Sequence, residues 1–134
     1  MAWTSPGGAA LAGALLLSAG AAPAHHSFAA FFDSDKTIKV TGTVTDFRFT
    51  NPHGSIGIEV KKPDGTVEHW RAETNAPVVL MRRGWTRNSI KAGDVVTLEG
   101  WGSRDGKPYI RLRQALDANG KPIGGAPFGQ NDEK

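Results

Sequence analysis

Thr37-Ile38-Lys39-Val40-Thr41-Gly42-Thr43-Val44-Thr45 alternates apolar and polar residues and is dense in β-branched side chains. Neighbouring side chains on a strand point to opposite faces, so the stretch reads as a strand with one buried face. Gly42 inside it marks a bend or bulge. The alternation changes phase before Phe47 and Phe49, as one extra residue near Asp46 produces, and Asn51-Pro52 ends the strand. A second strand is expected over Ile56–Val60. Pro63-Asp64-Gly65-Thr66 then has the composition of a tight turn, because Asp-Gly accommodates positive backbone angles. The third strand, Val67–Glu73, runs back antiparallel, with Trp70 and Ala72 inward and His69, Arg71 and Glu73 outward.

Further along, Asn75 is expected to cap a short helix over Ala76–Arg83, with Pro77 in the first turn and Gly84 just past the end. Arg82 and Arg83 suit the negative end of its dipole. Ala92-Gly93-Asp94 turns into a fourth strand, Val95–Trp101, and Arg104–Pro108 leads into a fifth, Tyr109–Leu116. Three strands, a helix and two strands is the order of a small, mostly β, five-stranded OB-like barrel; a small open β-sandwich is the alternative architecture. The barrel domain takes residues 36–117. Residues 118–134, rich in Gly, Pro and Asn, read as a flexible tail.

The other end of the chain is of a different kind. No charged side chain occurs from Met1 to Ala24, and Ala10–Ala22 consists of Leu, Ala and Gly with one Ser. That is the length and character of a signal-peptide apolar region, too short to span a bilayer. Ala22-Pro23-Ala24 fits the small-x-small cleavage rule, although Met1–Ser5 lacks the customary Lys or Arg. Residues 1–24 are therefore expected to be a signal peptide and residues 25–35 the mature N-terminal segment. The mature protein would be periplasmic or secreted, without a membrane span.

Of the 134 residues none is cysteine, which removes disulfides, thiolate metal sites and cysteine nucleophiles together. Sixteen Lys and Arg against thirteen Asp and Glu leave a formal charge of +3. That balance lacks the excess typical of nucleic-acid binders, and no nucleic-acid partner is expected.

Cleavage before His25 would give the chain a chemical group that no internal residue has. A free α-amine and the Nδ1 of an N-terminal histidine can chelate one metal, in a geometry that favours Cu(II). His26 adds a second imidazole; equally, both histidines fit a solvated tail.

Ala24-His25-His26-Ser27-Phe28, Val40–Val44, Thr50-Asn51-Pro52-His53, Arg83–Arg87 and Lys91–Val95 together resemble an uncharacterised family of short secreted proteobacterial proteins. The likeness runs from about His25 to Asp117. It implies export and a single domain, and supplies no activity. It also directs attention to His53, held at a strand-loop junction by the preceding proline. Were the tail to fold back there, His25 and His53 would resemble the histidine brace of copper oxygenases and some copper carriers.

Catalytic signatures are otherwise missing: the sequence has no Gly-x-Ser-x-Gly elbow, phosphate-binding glycine loop or His-Glu-x-x-His helix. Asp33 and Asp35 read as a solvated turn before the first strand. Two readings of function remain. In one, His25, His26 and His53 bind copper for carriage or buffering, with a periplasmic protein as the onward partner and no catalysis required. In the other, the chain is a non-enzymatic OB-type envelope binding module, with a ligand near Trp85, Tyr109 and Arg111.

Overall fold

The computed structural model describes residues 1–3 and 28–132. Five strands close into a barrel: β1 (Phe32–Arg48), β2 (Ser55–Lys61), β3 (Val67–Glu73), β4 (Val95–Ser103) and β5 (Tyr109–Leu116). A four-residue helix α1 (Phe28–Phe31) precedes β1, and α2 (Pro77–Arg82) lies between β3 and β4. The strand order is β1-β2-β3-β5-β4, returning to β1. All neighbours are antiparallel except β3 and β5, which run parallel. This is the OB arrangement expected from the order of elements, with the five strands joined in a ring.

The core follows the alternation in the sequence. Ile56, Ile58, Ala72, Leu98, Ile110 and Leu112 face inward and are almost fully buried, with Leu80 of α2 and Trp85 beside them. β1 carries its bulge between Val44 and Asp46, so Val44 and then Phe47 and Phe49 all turn towards the core. Gly42 has a different role from the expected bend. A Cβ there would sit 2.3 Å from the Glu59 carbonyl oxygen, so glycine is required by the closeness of β2.

Three expectations need correcting. Asn75 does not cap α2: Ala76 holds the N-cap position, no side chain bonds the first turn, and the buried Asn75 turns its Oδ1 towards Arg111. β1 begins at Phe32, so the end of the expected N-terminal segment belongs to the barrel. Residues 118–132 contain no helix or long strand, yet they are folded against the barrel instead of lying free. Phe128 is buried to 3% exposure. Arg83 donates to the Ala126 carbonyl and pairs with Asp132 at 2.9 Å, and the Gly125 amide donates to the Arg83 carbonyl. Among the described residues no helix is long and apolar enough to cross a membrane.

Candidate functional site

The site lies on the outside of the barrel and is built by strand register. Across the sheet, Asp46 of β1 stands opposite Gly57 of β2, Gly57 opposite Arg71 of β3, and Arg71 opposite Tyr109 of β5. A second row runs Arg48, Ser55, Glu73, Arg111 and Trp101. Side chains in such a row share one face, so the parallel β3–β5 pairing brings four polar residues together outside the core.

Over the glycine, Arg71 reaches across β2 to make two 3.0 Å bonds to the Asp46 carboxylate, and its Nη1 also donates to Ser55 Oγ at 3.0 Å. A Cβ at Gly57 would lie 2.8 Å from Asp46 Oδ1 and 3.1 Å from Arg71 Nη2, in the path of this bridge. The Arg71 guanidinium holds the Asp46 carboxyl below the usual carboxylate range despite opposing desolvation, and Asp46 in turn raises Arg71.

In the second row, Arg111 is only 4% exposed. A buried cation needs a paired anion and satisfied donors. Glu73 supplies the anion at 2.8 Å, the Thr74 carbonyl accepts at 3.2 Å, and Asn75 Oδ1 accepts from the other nitrogen. Tyr109 donates its hydroxyl to the second Glu73 oxygen at 2.7 Å. Burial, followed by this bond, pushes the phenol well above its ordinary value.

The N-terminal segment forms a wall over both rows. Phe32 stacks on Tyr109 at 5.5 Å between ring centroids, Phe28 lies 5.6 Å from Phe32, and Phe28 meets the edge of Trp101 at 5.0 Å. This aromatic cluster is separate from the barrel core. The hairpin after β4 helps to hold it: the Arg104 amide donates to the Phe31 carbonyl and its Nε to the Ala29 carbonyl.

Between wall and sheet lies a pocket of about 540 Å³, lined by Phe28, Phe31 and Phe32 on one side and by residues including His53, Ser55, Arg71, Glu73, Tyr109 and Arg111 on the other. The volume is in the range of small-molecule sites. Of the three histidines singled out in the sequence, only His53 can be placed; His25 and His26 lie outside the described residues. His53 follows a cis Asn51–Pro52 peptide. The junction is held by the Thr74 amide, which donates to the Gly54 carbonyl.

His53 Nδ1 lies 3.2 Å from the Thr74 carbonyl oxygen and 3.1 Å from Arg111 Nη1. Without a proton Nδ1 accepts from Arg111 Nη1, and with a proton it donates to the Thr74 carbonyl. In the latter tautomer the Nε2 lone pair is left for a metal or a proton, the usual arrangement for a ligating histidine. Among the described residues no three His, Asp or Glu side chains converge as a ready metal cage. His69 is a surface residue, as expected, 74% exposed beside Glu59.

Trp85 is not part of this surface. It is 2% exposed and packs near Phe47 with Gly124 over its indole nitrogen, so an exposed binding face at Trp85 is ruled out. Tyr109 and Arg111 are at the pocket, but their partners are Glu73, Arg71 and the phenylalanines. Sequence reasoning missed these, although the Arg71/Glu73 and Tyr109/Arg111 alternations were available as a signal.

A closed OB-type barrel with an aromatic-walled pocket on its outer face is the class that this structure defines. The chain belongs to the family of unknown function DUF6152, which matches residues 13–111. No curated protein matches the sequence. Among solved structures, the barrel is similar to Rim1, a mitochondrial single-stranded DNA binding protein from S. cerevisiae. The two are 9% identical with a TM-score of 0.47, over 68% of this chain and 96% of that one. It is also similar to a small single-stranded DNA-binding protein from Streptomyces coelicolor, at 16% identity and a TM-score of 0.41, over 61% and 90%.

Proposed function

We propose that the protein is a periplasmic copper-binding protein, with His53 and a processed N-terminus at His25 as its ligands, serving copper carriage or buffering. One observation carries the reading: Phe28 and His53 line the same pocket. His25 is three residues before Phe28, and three extended residues reach about 10 Å. An N-terminus made by cleavage after Ala24 would begin within that reach of the pocket that His53 lines. The amine, the His25 imidazole and His53 Nε2 would supply three nitrogen donors, a set that suits Cu(II). The Thr74 carbonyl would orient the His53 ring, and Glu73 offsets the charge of Arg111 behind it. His26 is available as a further donor from the same segment. Nothing in this reading requires turnover.

The test is a Cu(II) titration of exported, processed protein followed by electron paramagnetic resonance, with mass spectrometry to confirm a start at His25. One tight equivalent with nitrogen coupling is expected. His53→Ala should weaken it at least tenfold, since even the loss of an outer-shell partner costs about 10–100-fold in metal affinity. One extra residue before His25 should abolish the tight site. Equal affinity in all three forms sinks the reading.

A further inference from the structure

We infer that the pocket is a binding site for a small, neutral aromatic molecule bearing a hydrogen-bond acceptor, and that it works independently of any metal. Rings make one side of it. Phe28, Phe32 and Tyr109 form a continuous run with centroids 5.5–5.6 Å apart, and Phe31 stands beside them on the same wall. Of these only Phe32 is buried: Phe28 and Tyr109 are partly covered and Phe31 is 50% exposed. Ring surface is therefore open to an occupant, and such a wall takes a flat ring by stacking or edge contact.

The opposite side decides the charge. Each arginine there is already matched by its own carboxylate, Arg71 by Asp46 through two 3.0 Å bonds and Arg111 by Glu73 at 2.8 Å. Both Glu73 oxygens accept, one from Arg111 and the other from Tyr109. A charged ligand would give up its hydration and meet no unpaired countercharge in exchange, a cost that a neutral one does not bear. Within this balanced surface Ser55 offers one directional contact. Its Oγ accepts from Arg71 Nη1, and no bond among the described residues uses its O–H, which is left to donate to an oxygen of the ligand.

The volume of about 540 Å³ leaves room for two fused rings. The probe is 2-naphthalenemethanol, titrated into the purified full-length chain with EDTA present and followed by amide chemical shifts in two-dimensional NMR. Its anionic and cationic counterparts, 2-naphthoate and 2-naphthylmethylammonium, keep the rings and change the charge. Decahydro-2-naphthalenemethanol keeps the alcohol and removes the aromaticity. Metal removal separates this result from the copper reading, which can hold or fail without altering it.

Saturable shifts confined to Gly54, Ser55, Arg71, Tyr109 and the Phe28–Phe32 segment are expected, with a dissociation constant on the order of 1 mM or below, reasonable for a ligand of this size. Both charged counterparts and the saturated alcohol should bind more weakly by about fivefold or more. Ser55→Ala, which leaves the barrel core untouched, should weaken the aromatic alcohol about fivefold, the net contribution of one neutral hydrogen bond. Phe31→Ala should weaken it too, and the spectrum itself reports that each variant is folded. A charged counterpart that binds as tightly as the alcohol overturns the proposal, as do equal binding of the saturated rings, shifts centred elsewhere on the barrel, or affinity unchanged in Ser55→Ala.

Discussion

Tyr109 shows how one side chain ties the outer face together. Its ring stacks on Phe32 and its hydroxyl donates to Glu73, which in turn neutralises the buried Arg111. An unfolded tyrosine loses its proton near pH 10.0, whereas burial and the Glu73 carboxylate keep the folded phenol protonated beyond that point. Above pH 10 the unfolded state has therefore released a proton that the folded state still holds. The stability linked to Tyr109 is full below about pH 10 and declines as pH rises further. Tyr109→Phe lacks this titration, so urea midpoints of the wild type should fall more steeply than those of the variant between pH 10 and 11.5. Parallel curves would show that the phenol is not held as the structure places it.

His53 is the residue on which the functional reading turns, and its context was only partly legible. Asn51-Pro52 announced a strand end. The carbonyl of Thr74, which orients the ring, comes from a segment 21 residues away and carries no signal as an amide carbonyl.

At the scale of elements, glycine positions separate close approach of backbone from close approach of side chains. β4 meets β5 through an irregularity between Glu99 and Gly100, and a Cβ at Gly100 would lie 2.1 Å from the Arg111 carbonyl oxygen. Backbone cannot yield cheaply there, so Gly100→Ala should cost about 3 kcal/mol in urea unfolding. At Gly57 the obstructing atoms are the ends of Thr45, Asp46 and Arg71 side chains. These can move, and alanine also loses less entropy than glycine on folding, so Gly57→Ala should change stability by under about 1 kcal/mol while displacing the Arg71–Asp46 bridge. Similar losses for the two variants would contradict the assignment. The strands themselves were readable to within a residue or two beyond β1, because period-two burial writes itself into the choice of Ile, Val and Leu. The start of β1 was not: Phe32 is set apart by Asp33-Ser34-Asp35, whose local bond from the Asp35 amide to Asp33 Oδ1 looks like a turn.

Across the whole molecule, the packed core takes in the segment after β5 as well as the five strands. Ile123 donates its amide to the Ala115 carbonyl, Phe128 to that of Arg113, and the Phe128 ring enters the core under the Arg83 guanidinium. Phe128→Ala should destabilise the protein by about 3 kcal/mol, the usual cost of removing a buried phenylalanine, in a cooperative denaturant transition. A loss below about 1 kcal/mol would mean that the segment is not part of the folded unit. Composition hid this, since Gly, Pro and Asn are also what a free tail contains, and one phenylalanine is too little pattern to reveal packing.

By itself the sequence determined the barrel. Alternating apolar residues, Asp-Gly turns and a Pro-led helix each act over a few neighbouring positions, and their order allows few topologies. The tertiary structure decided the pocket, because its parts come from Phe28–Phe32, His53, β3 and β5, and only the parallel register of β3 on β5 sets Arg71 beside Tyr109 and Glu73 beside Arg111. The same contacts decided that Trp85 is core and that Arg111 is a buried, paired cation. Local pattern fixes which way a side chain points, and only the packing of distant segments fixes what it meets.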